Sequence, residues 1–198
     1  MDVSILHSLN NLFARHDGIE DPSVFYANAA EVLFLGMLIL AFVLARGRAR
    51  TATRRAVVAG GLSAGVALAI AQVVAQVVDR PRPFVALAGS VHLFSHHAAD
   101  PGFPSDHTTA AFAIGAALLL RNRAWGAVVL VFATLLALAR VGMGVHYPSD
   151  VLAGAALGTL VAVVLWHPAV RTLLDRLADR SGAVLDGALR VVRPAARG

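Results

Sequence analysis

Five stretches of this chain are apolar for about as long as a helix needs to cross a lipid bilayer, which leaves few other ways for it to fold. They run approximately from Asn28 to Ala45, Ala56 to Val78, Thr108 to Leu120, Ala124 to Ala139 and Val151 to Trp166. A hydrocarbon core is spanned by about 20 apolar residues in a helix, whose backbone groups satisfy one another internally. At 58% hydrophobic residues over 198, the chain is more apolar than an ordinary soluble domain. The reading is an all-α fold: a polytopic transmembrane helix bundle of about five spans, forming a single domain over 1–198. The third span is short unless its first turn begins at Pro104, and proline suits a first helical position because its missing N–H needs no partner there.

Charge orients the bundle. All seventeen basic residues are arginine. Arg46, Arg48, Arg50, Arg54 and Arg55 fill the first loop, Arg121 and Arg123 the third, and Arg171, Arg176, Arg180, Arg190, Arg193 and Arg197 the tail. Five spans put those thirteen on one side, and positive loops stay cytoplasmic. Only Arg15, Arg80, Arg82 and Arg140 remain for the other face. The expectation is an outward N-terminus and a cytoplasmic C-terminus. Segment 1–22 lacks the basic start of a secretory signal, since Asp2 is acidic. Ile5, Leu6, Leu9, Leu12 and Phe13 recur at helical spacing, as in a helix lying on the membrane surface. Segment 167–198 reads as a second interfacial helix, interrupted at Ser181-Gly182, whose arginines would meet anionic lipid. The chain has no cysteine, so disulfides and thiolate metal sites are excluded. The basic charge is spread over loops with no groove or aromatic platform, so no nucleic-acid partner is expected.

Three short groups carry the chemistry, and all fall on the outward face. In Arg80-Pro81-Arg82-Pro83 the two prolines hold the backbone extended around Arg82, which partly fixes its guanidinium before any ligand arrives. Arg80 could equally snorkel beside Asp79. In Phe103-Pro104-Ser105-Asp106-His107, Ser105 and the first N–H groups of the third span would form an anion-binding helix terminus. His107 would stand beside it as a proton donor; alone, this group would read as a capping serine and an interfacial histidine. In the third group Arg140 precedes His146 and Asp150, with Gly142 and Gly144 allowing a tight turn. Asp150 could accept His146 Nδ1–H, fix the tautomer and leave Nε2 free to attack. Arginine forks bind phosphate oxygens bidentately, so the three groups together point to phosphate chemistry at a bilayer surface.

These motifs resemble the signature of the type 2 phosphatidic acid phosphatase superfamily: Lys-x6-Arg-Pro, Pro-Ser-Gly-His and Ser-Arg-x5-His-x3-Asp. The match runs from Ala75 to Asp150, and the variants Arg-Pro-Arg-Pro-Phe and Phe-Pro-Ser-Asp-His-Thr are most similar to bacitracin-resistance-type undecaprenyl-diphosphatases. The resemblance implies His146 as nucleophile through a phosphohistidine, Asp150 orienting it, and His107 as general acid. It implies Arg82, Arg140 and Ser105 holding the phosphoryl oxygens with backbone N–H from the Asp106 region. It implies no metal and no cofactor, and a site on the outer face of a bacterial cytoplasmic membrane acting on a lipid diphosphate. Alternatives are another lipid phosphate, such as phosphatidate or phosphatidylglycerol phosphate, or a carrier that only binds headgroups.

Three departures stand out. The family lysine falls at Ala75, the glycine at Asp106 and the serine before Arg140 at Ala139. Arg80 is the expected substitute for the lysine, and an Arg80–Asp106 pair would account for both oddities. His92, His96, His97 and Asp100 offer a metal site unsupported by any further ligand pattern. Glu31 would pair with an external arginine, meet the headgroup, or sit as an interfacial cap.

Overall fold

A computed structural model describes residues 1–192. Arg193 and Arg197 lie outside the described residues, as does the side chain of Arg190. Eight α-helices follow one another: α1 Asp2–Arg15, α2 Asp17–Leu44, α3 Arg50–Val78, α4 Pro83–Ala86, α5 Asp106–Leu119, α6 Arg123–Gly142, α7 Pro148–Leu165 and α8 Pro168–Val192. The all-helical bundle is as the apolar runs require.

Four segments are long and apolar enough to cross a membrane: Asp17–Leu44, Gly47–Ala86, Arg123–Gly142 and Pro148–Leu165. Their outward faces carry Val32, Val77, Val131 and Leu152, which are well exposed and suited to lipid. The fifth expected span, α5, is not among them. It begins at Asp106 rather than Pro104 and has 14 residues, about 21 Å at 1.5 Å per residue. It lies at the centre of the bundle between α3, α6 and α7, and neighbours rather than lipid cover it. Glycines allow that close approach: a Cβ on Gly158 of α7 would stand 2.2 Å from Thr109 O, and one on Gly154 2.7 Å from Ser105 O.

One end of the bundle gathers the last turns of α3 and α6 and the first turns of α5 and α7. Asp79, in the left-handed region with φ 43°, ends α3 and turns the chain into Arg80-Pro81-Arg82-Pro83. Arg82 is extended, with φ −65° and ψ 154°, as its flanking prolines require. At this end α1 does more than lie on a surface. Leu6, Asn10 and Phe13 are buried, and Asn10 Nδ2 donates to His92 O at 2.8 Å and to Gly142 O at 2.9 Å.

At the opposite end α8 runs unbroken through Ser181-Gly182. The glycine leaves room for buried Arg54, whose Nη1 donates to Gly182 O at 3.1 Å. Arg54 also grips Asp186 with both Nη atoms, at 3.0 and 2.9 Å. Arg50 pairs with the same carboxylate. Arg55 takes Asp179 in the same bidentate way, at 3.0 and 2.7 Å, and Arg121 takes Asp175 at 2.8 Å. Much of the positive first loop therefore fastens α8 to the bundle, while Arg176 and Arg180 remain exposed.

Candidate active site

Three backbone turns converge on His146, which is 2% exposed. Gly144, with φ +78°, lets the chain reverse after α6; a Cβ there would meet His92 O at 2.5 Å. The imidazole lies between the Arg82 segment and Gly102. Its Nδ1 is 3.0 Å from Gly102 O. A carbonyl only accepts, so Nδ1 carries the proton and Nε2 the lone pair. That lone pair faces Arg82 Nη1 at 3.1 Å, and the same Nη1 reaches Val145 O at 3.3 Å. Burial first, then the charges of Arg140 and Arg82, push the His146 imidazole well below the ordinary histidine range. The ring is neutral, with its nucleophilic nitrogen turned toward cations.

Asp150 was expected to take the Nδ1–H, and here the geometry differs. Its Oδ2 is 3.7 Å from Nδ1, beyond a hydrogen bond, because both oxygens are engaged elsewhere. Oδ2 accepts Tyr147 N–H at 2.7 Å, closing the first turn of α7, and Oδ1 accepts Arg80 Nη1 at 2.7 Å. The Gly102 carbonyl sets the tautomer, and Asp150 stands behind it, fully buried.

The expected Arg80–Asp106 pair does not form. Arg80 bonds Asp150, Asp2 and Ser149, while Asp106 Oδ2 accepts from Gln72 Nε2 at 2.8 Å. Arg80 is thus engaged by two carboxylates and a hydroxyl, and the last turn of α3, where the family lysine falls, holds no basic residue.

Arg140, on the last turn of α6, is 2% exposed. Its Nη2 donates to His97 Nε2 at 2.8 Å, and its buried Nε has no partner. His97 is held below its usual range by burial and then by the Arg82 charge, so it accepts from Arg140 as a neutral ring. Arg82 Nε donates to Asp100 Oδ1 at 3.0 Å. Burial alone would raise Asp100, but the hydrogen bond and charge of Arg82 outweigh it and hold the carboxyl low. Both buried guanidiniums are therefore partly occupied by the loop 87–105, which carries His97, Asp100 and Gly102.

Ser105 precedes α5 at its N-cap position, fully buried and with no capping bond from its side chain. Its N–H donates to Asp150 O at 3.1 Å and its Oγ accepts from Thr108 Oγ1 at 3.2 Å. The next N–H groups, of Asp106 and His107, have no partner within the helix, as at any helix start. Burial first, then the charge of Arg140 and the neighbouring His146, His97 and Arg82, push the His107 imidazole below its ordinary range, to about 3. Its Nε2 is 3.3 Å from Glu31 Oε1, so Glu31 pairs with a histidine rather than an arginine. Beside this pair, a crevice of about 400 Å³ runs between α2 and α3, lined by Phe34, Leu35, Leu68 and Ile114. His92 and His96 are exposed, and no group of three His, Asp or Glu able to hold a metal occurs among the described residues.

The sequence motifs thus meet at one end of the fold: Arg82, Ser105, His107, Arg140, His146 and Asp150. Unforeseen participants are Gly102, through its carbonyl, and His97, Asp100, Gln72, Ser149 and Asp2. A carbonyl carries no residue-type signal, Asp2 lies far from the motifs in sequence, and Gln72, just ahead of Ala75, is a neutral amide that nothing marks for a site. His97 and Asp100 were visible only as members of a histidine-rich loop.

Comparison with known proteins agrees with this geometry. Residues 56–172 match the model of the PAP2 superfamily. The chain is 41% identical over 111 residues to the undecaprenyl-diphosphatase BcrC of Bacillus subtilis, covering 56% of this chain and 52% of that protein. It spans about half the length of the curated relatives it matches. The crystal structure of Aquifex aeolicus LpxE superposes with a TM-score of 0.62 at 25% identity, covering 82% of this chain and 93% of that one. The PAP2-type phosphatidylglycerolphosphate phosphatase of Bacillus subtilis shares the fold, with a TM-score of 0.63 at 19% identity over 83% and 82% of the two chains. With four apolar helices long enough to span a bilayer and this fold, the chain is an integral membrane protein. Most of its bundle and all three of its motif groups lie within the matched segment, and the chain belongs to the PAP2 superfamily.

Proposed function

We propose that this protein is a lipid-diphosphate phosphatase that removes the terminal phosphate of undecaprenyl diphosphate, leaving undecaprenyl phosphate. The observation that carries the reading is the state of His146: neutral, protonated on Nδ1, with Nε2 aimed at the Arg82 guanidinium. An incoming phosphate takes the N–H groups that Arg82 and Arg140 now give to His146, Asp100 and His97. That exchange frees the Nε2 lone pair beside the phosphorus.

Nε2 then attacks phosphorus, and the bond from phosphorus to the bridging oxygen breaks. The bonding electrons leave with that oxygen, and His107 protonates it as lipid monophosphate departs, once the negative charges of Glu31 and the bound diphosphate have offset the burial that otherwise keeps this ring neutral. Arg82, Arg140, Ser105 and the N–H groups at the start of α5 hold the three transferring oxygens as charge moves through them. Water then attacks the phosphohistidine, giving its proton to His107, and inorganic phosphate leaves as Nε2 recovers its lone pair. Asp150, through Tyr147 and Arg80, steadies the turn that carries the ring.

The site faces outward and the C-terminus is cytoplasmic in this reading, because the arginine-rich loops all lie at the opposite end of the bundle. Exposed Arg176 and Arg180 beside exposed Leu173, Leu177 and Val184 would rest α8 on anionic lipid. The relatives' names favour the undecaprenyl lipid, and the outer face is where such a diphosphate would need recycling.

The test is phosphate release from undecaprenyl diphosphate by the purified protein and its His146→Ala variant. Release that disappears in the variant, with a base-stable, acid-labile phosphoenzyme in the parent, supports the reading. Equal release by both proteins, or none by either, overturns it. Faster turnover of phosphatidylglycerol phosphate would keep the chemistry and change the lipid.

A further inference from the structure

One polar cluster at the His146 end has no part in holding phosphate: Arg80, Asp2, Ser149 and Asp150 bond to one another. Arg80 Nη1 donates to Asp150 Oδ1 at 2.7 Å and to Ser149 Oγ at 2.6 Å, and its Nη2 donates to Asp2 Oδ2 at 2.8 Å. Asp2 Oδ1 accepts the N–H of Ser149 at 2.9 Å, and Oδ2 accepts the Ser149 hydroxyl. The guanidinium carbon lies 4.0 Å from the centre of the Tyr147 ring. One guanidinium thus joins the first residue of α1 to the first turn of α7.

The main chain of Arg80 makes a second connection. Its carbonyl accepts Gly102 N–H at 2.8 Å, and Gly102 O is the acceptor for His146 Nδ1. Arg80 therefore connects twice to the Nδ1 edge of the imidazole, through the Gly102 carbonyl bonded to it and through Asp150, whose Oδ2 stands 3.7 Å from it. Burial would raise the Asp2 carboxyl, but hydrogen bonds from Ser149 and Arg80 outweigh it and hold it low. Asp2 remains a carboxylate and keeps the bridge charged at both ends.

We infer that Asp2 is a positioning residue for His146: through Arg80 and Ser149 it closes a carboxylate–guanidinium–carboxylate bridge that fixes Asp150 and the Gly102 carbonyl. The inference rests on His146 being the nucleophile. It also gives Arg80 a role without phosphate contact, since both of its Nη atoms face protein oxygens. The amino-terminal helix becomes part of the catalytic end of the fold, through a residue 144 positions before His146 in the sequence.

The experiment compares full-length Asp2→Asn, Asp2→Glu and Phe13→Ala, with His146→Ala, on undecaprenyl diphosphate in detergent. Phe13 is buried on the same helix about 16 Å from Asp2 and leaves the bridge intact while loosening α1. Expected for Asp2→Asn is a loss of kcat of about tenfold to a hundredfold with unchanged KM, as for a displaced reacting group. Asp2→Glu should recover part of that loss. Phe13→Ala should lower the melting temperature and keep kcat. The inference falls if Asp2→Asn keeps its kcat, if its loss lies in KM, or if Phe13→Ala loses as much kcat at equal loss of melting temperature. A dead His146→Ala beside a fully active Asp2→Asn sinks the bridge alone. A His146→Ala protein that still turns over sinks the nucleophile assignment first.

Discussion

The two ends of this bundle both bury arginines, and they treat them in opposite ways. At the α8 end, Arg54 and Arg55 each close a two-point grip on a carboxylate, Asp186 and Asp179. At the other end, Arg82 and Arg140 face neutral imidazoles, a backbone carbonyl and a single exposed carboxylate, and Arg140 Nε faces nothing. Bidentate carboxylate is the arrangement a guanidinium prefers. An arginine that already has it is a clamp. One held with weaker, replaceable acceptors is a receptor for an anion that brings better oxygens. The distinction lies in the partner, since Arg54 is as buried as Arg82 and Arg140.

The largest test of that contrast is removal of a receptor arginine. Arg140→Ala should lower kcat/KM by about a thousandfold, the usual cost of a charged donor at transferring phosphoryl oxygens. Its melting temperature should fall little, because only one neutral acceptor is lost. Arg82→Ala should do the same to rate. A thousandfold loss matched by unfolding would mean these residues are clamps too, and the contrast would fail.

The reverse is expected at the opposite end. Arg54→Ala removes two carboxylate bonds and two carbonyl bonds, to Gly182 and Phe42, from a buried side chain, costing about 2 kcal/mol, read as a lower melting temperature in detergent. Below that temperature kcat/KM should stay at the parent value. A selective loss of rate in a stable Arg54→Ala protein would show that α8 communicates with the site.

Asp100 offers a smaller test from within the receptor end. Its carboxylate occupies Arg82 Nε from an exposed position, so substrate must displace it. Asp100→Asn should lower KM by up to about fivefold, the worth of an exposed ion pair, with kcat unchanged. A raised KM would instead make Asp100 part of what holds Arg82 ready.

What could be read from the sequence follows the range of each interaction. The apolar runs gave the spans because lipid contact is set by local composition, and the proline-locked Arg82 and the Ser105 turn are likewise local. The apolar run of the central helix α5 predicts a span, yet at 14 residues it depends on Gly154 and Gly158 of α7, whose meaning appears only once two helices touch. The reach from Asp150 to His146 followed from spacing, but the closer acceptor is a carbonyl 44 residues earlier. Arg80 illustrates the limit most clearly. Its neighbourhood in sequence pointed to phosphate, and its partners are fixed by the N-terminal helix.

The subtlest consequence of the contrast concerns protons. Burial and the nearby guanidiniums keep His146 below the ordinary histidine range, and His97 shares that direction. The unfolded chain therefore binds more protons than the folded one as pH drops through about 6.5. The stability that comes from keeping these rings neutral is complete above that pH and is lost on acidification. The lowered carboxyls, Asp2 and Asp100 at this end and Asp179 and Asp186 at the other, act in a lower window. Their contribution is present above about pH 3.8 and lost below it. Between pH 7.5 and 5 the melting temperature of the parent should fall, and His146→Gln should flatten that fall while Arg54→Ala leaves its slope unchanged. A slope that is unaltered by His146→Gln would mean the ring titrates alike in the folded and unfolded chains, and burial among the guanidiniums would not be what keeps it neutral.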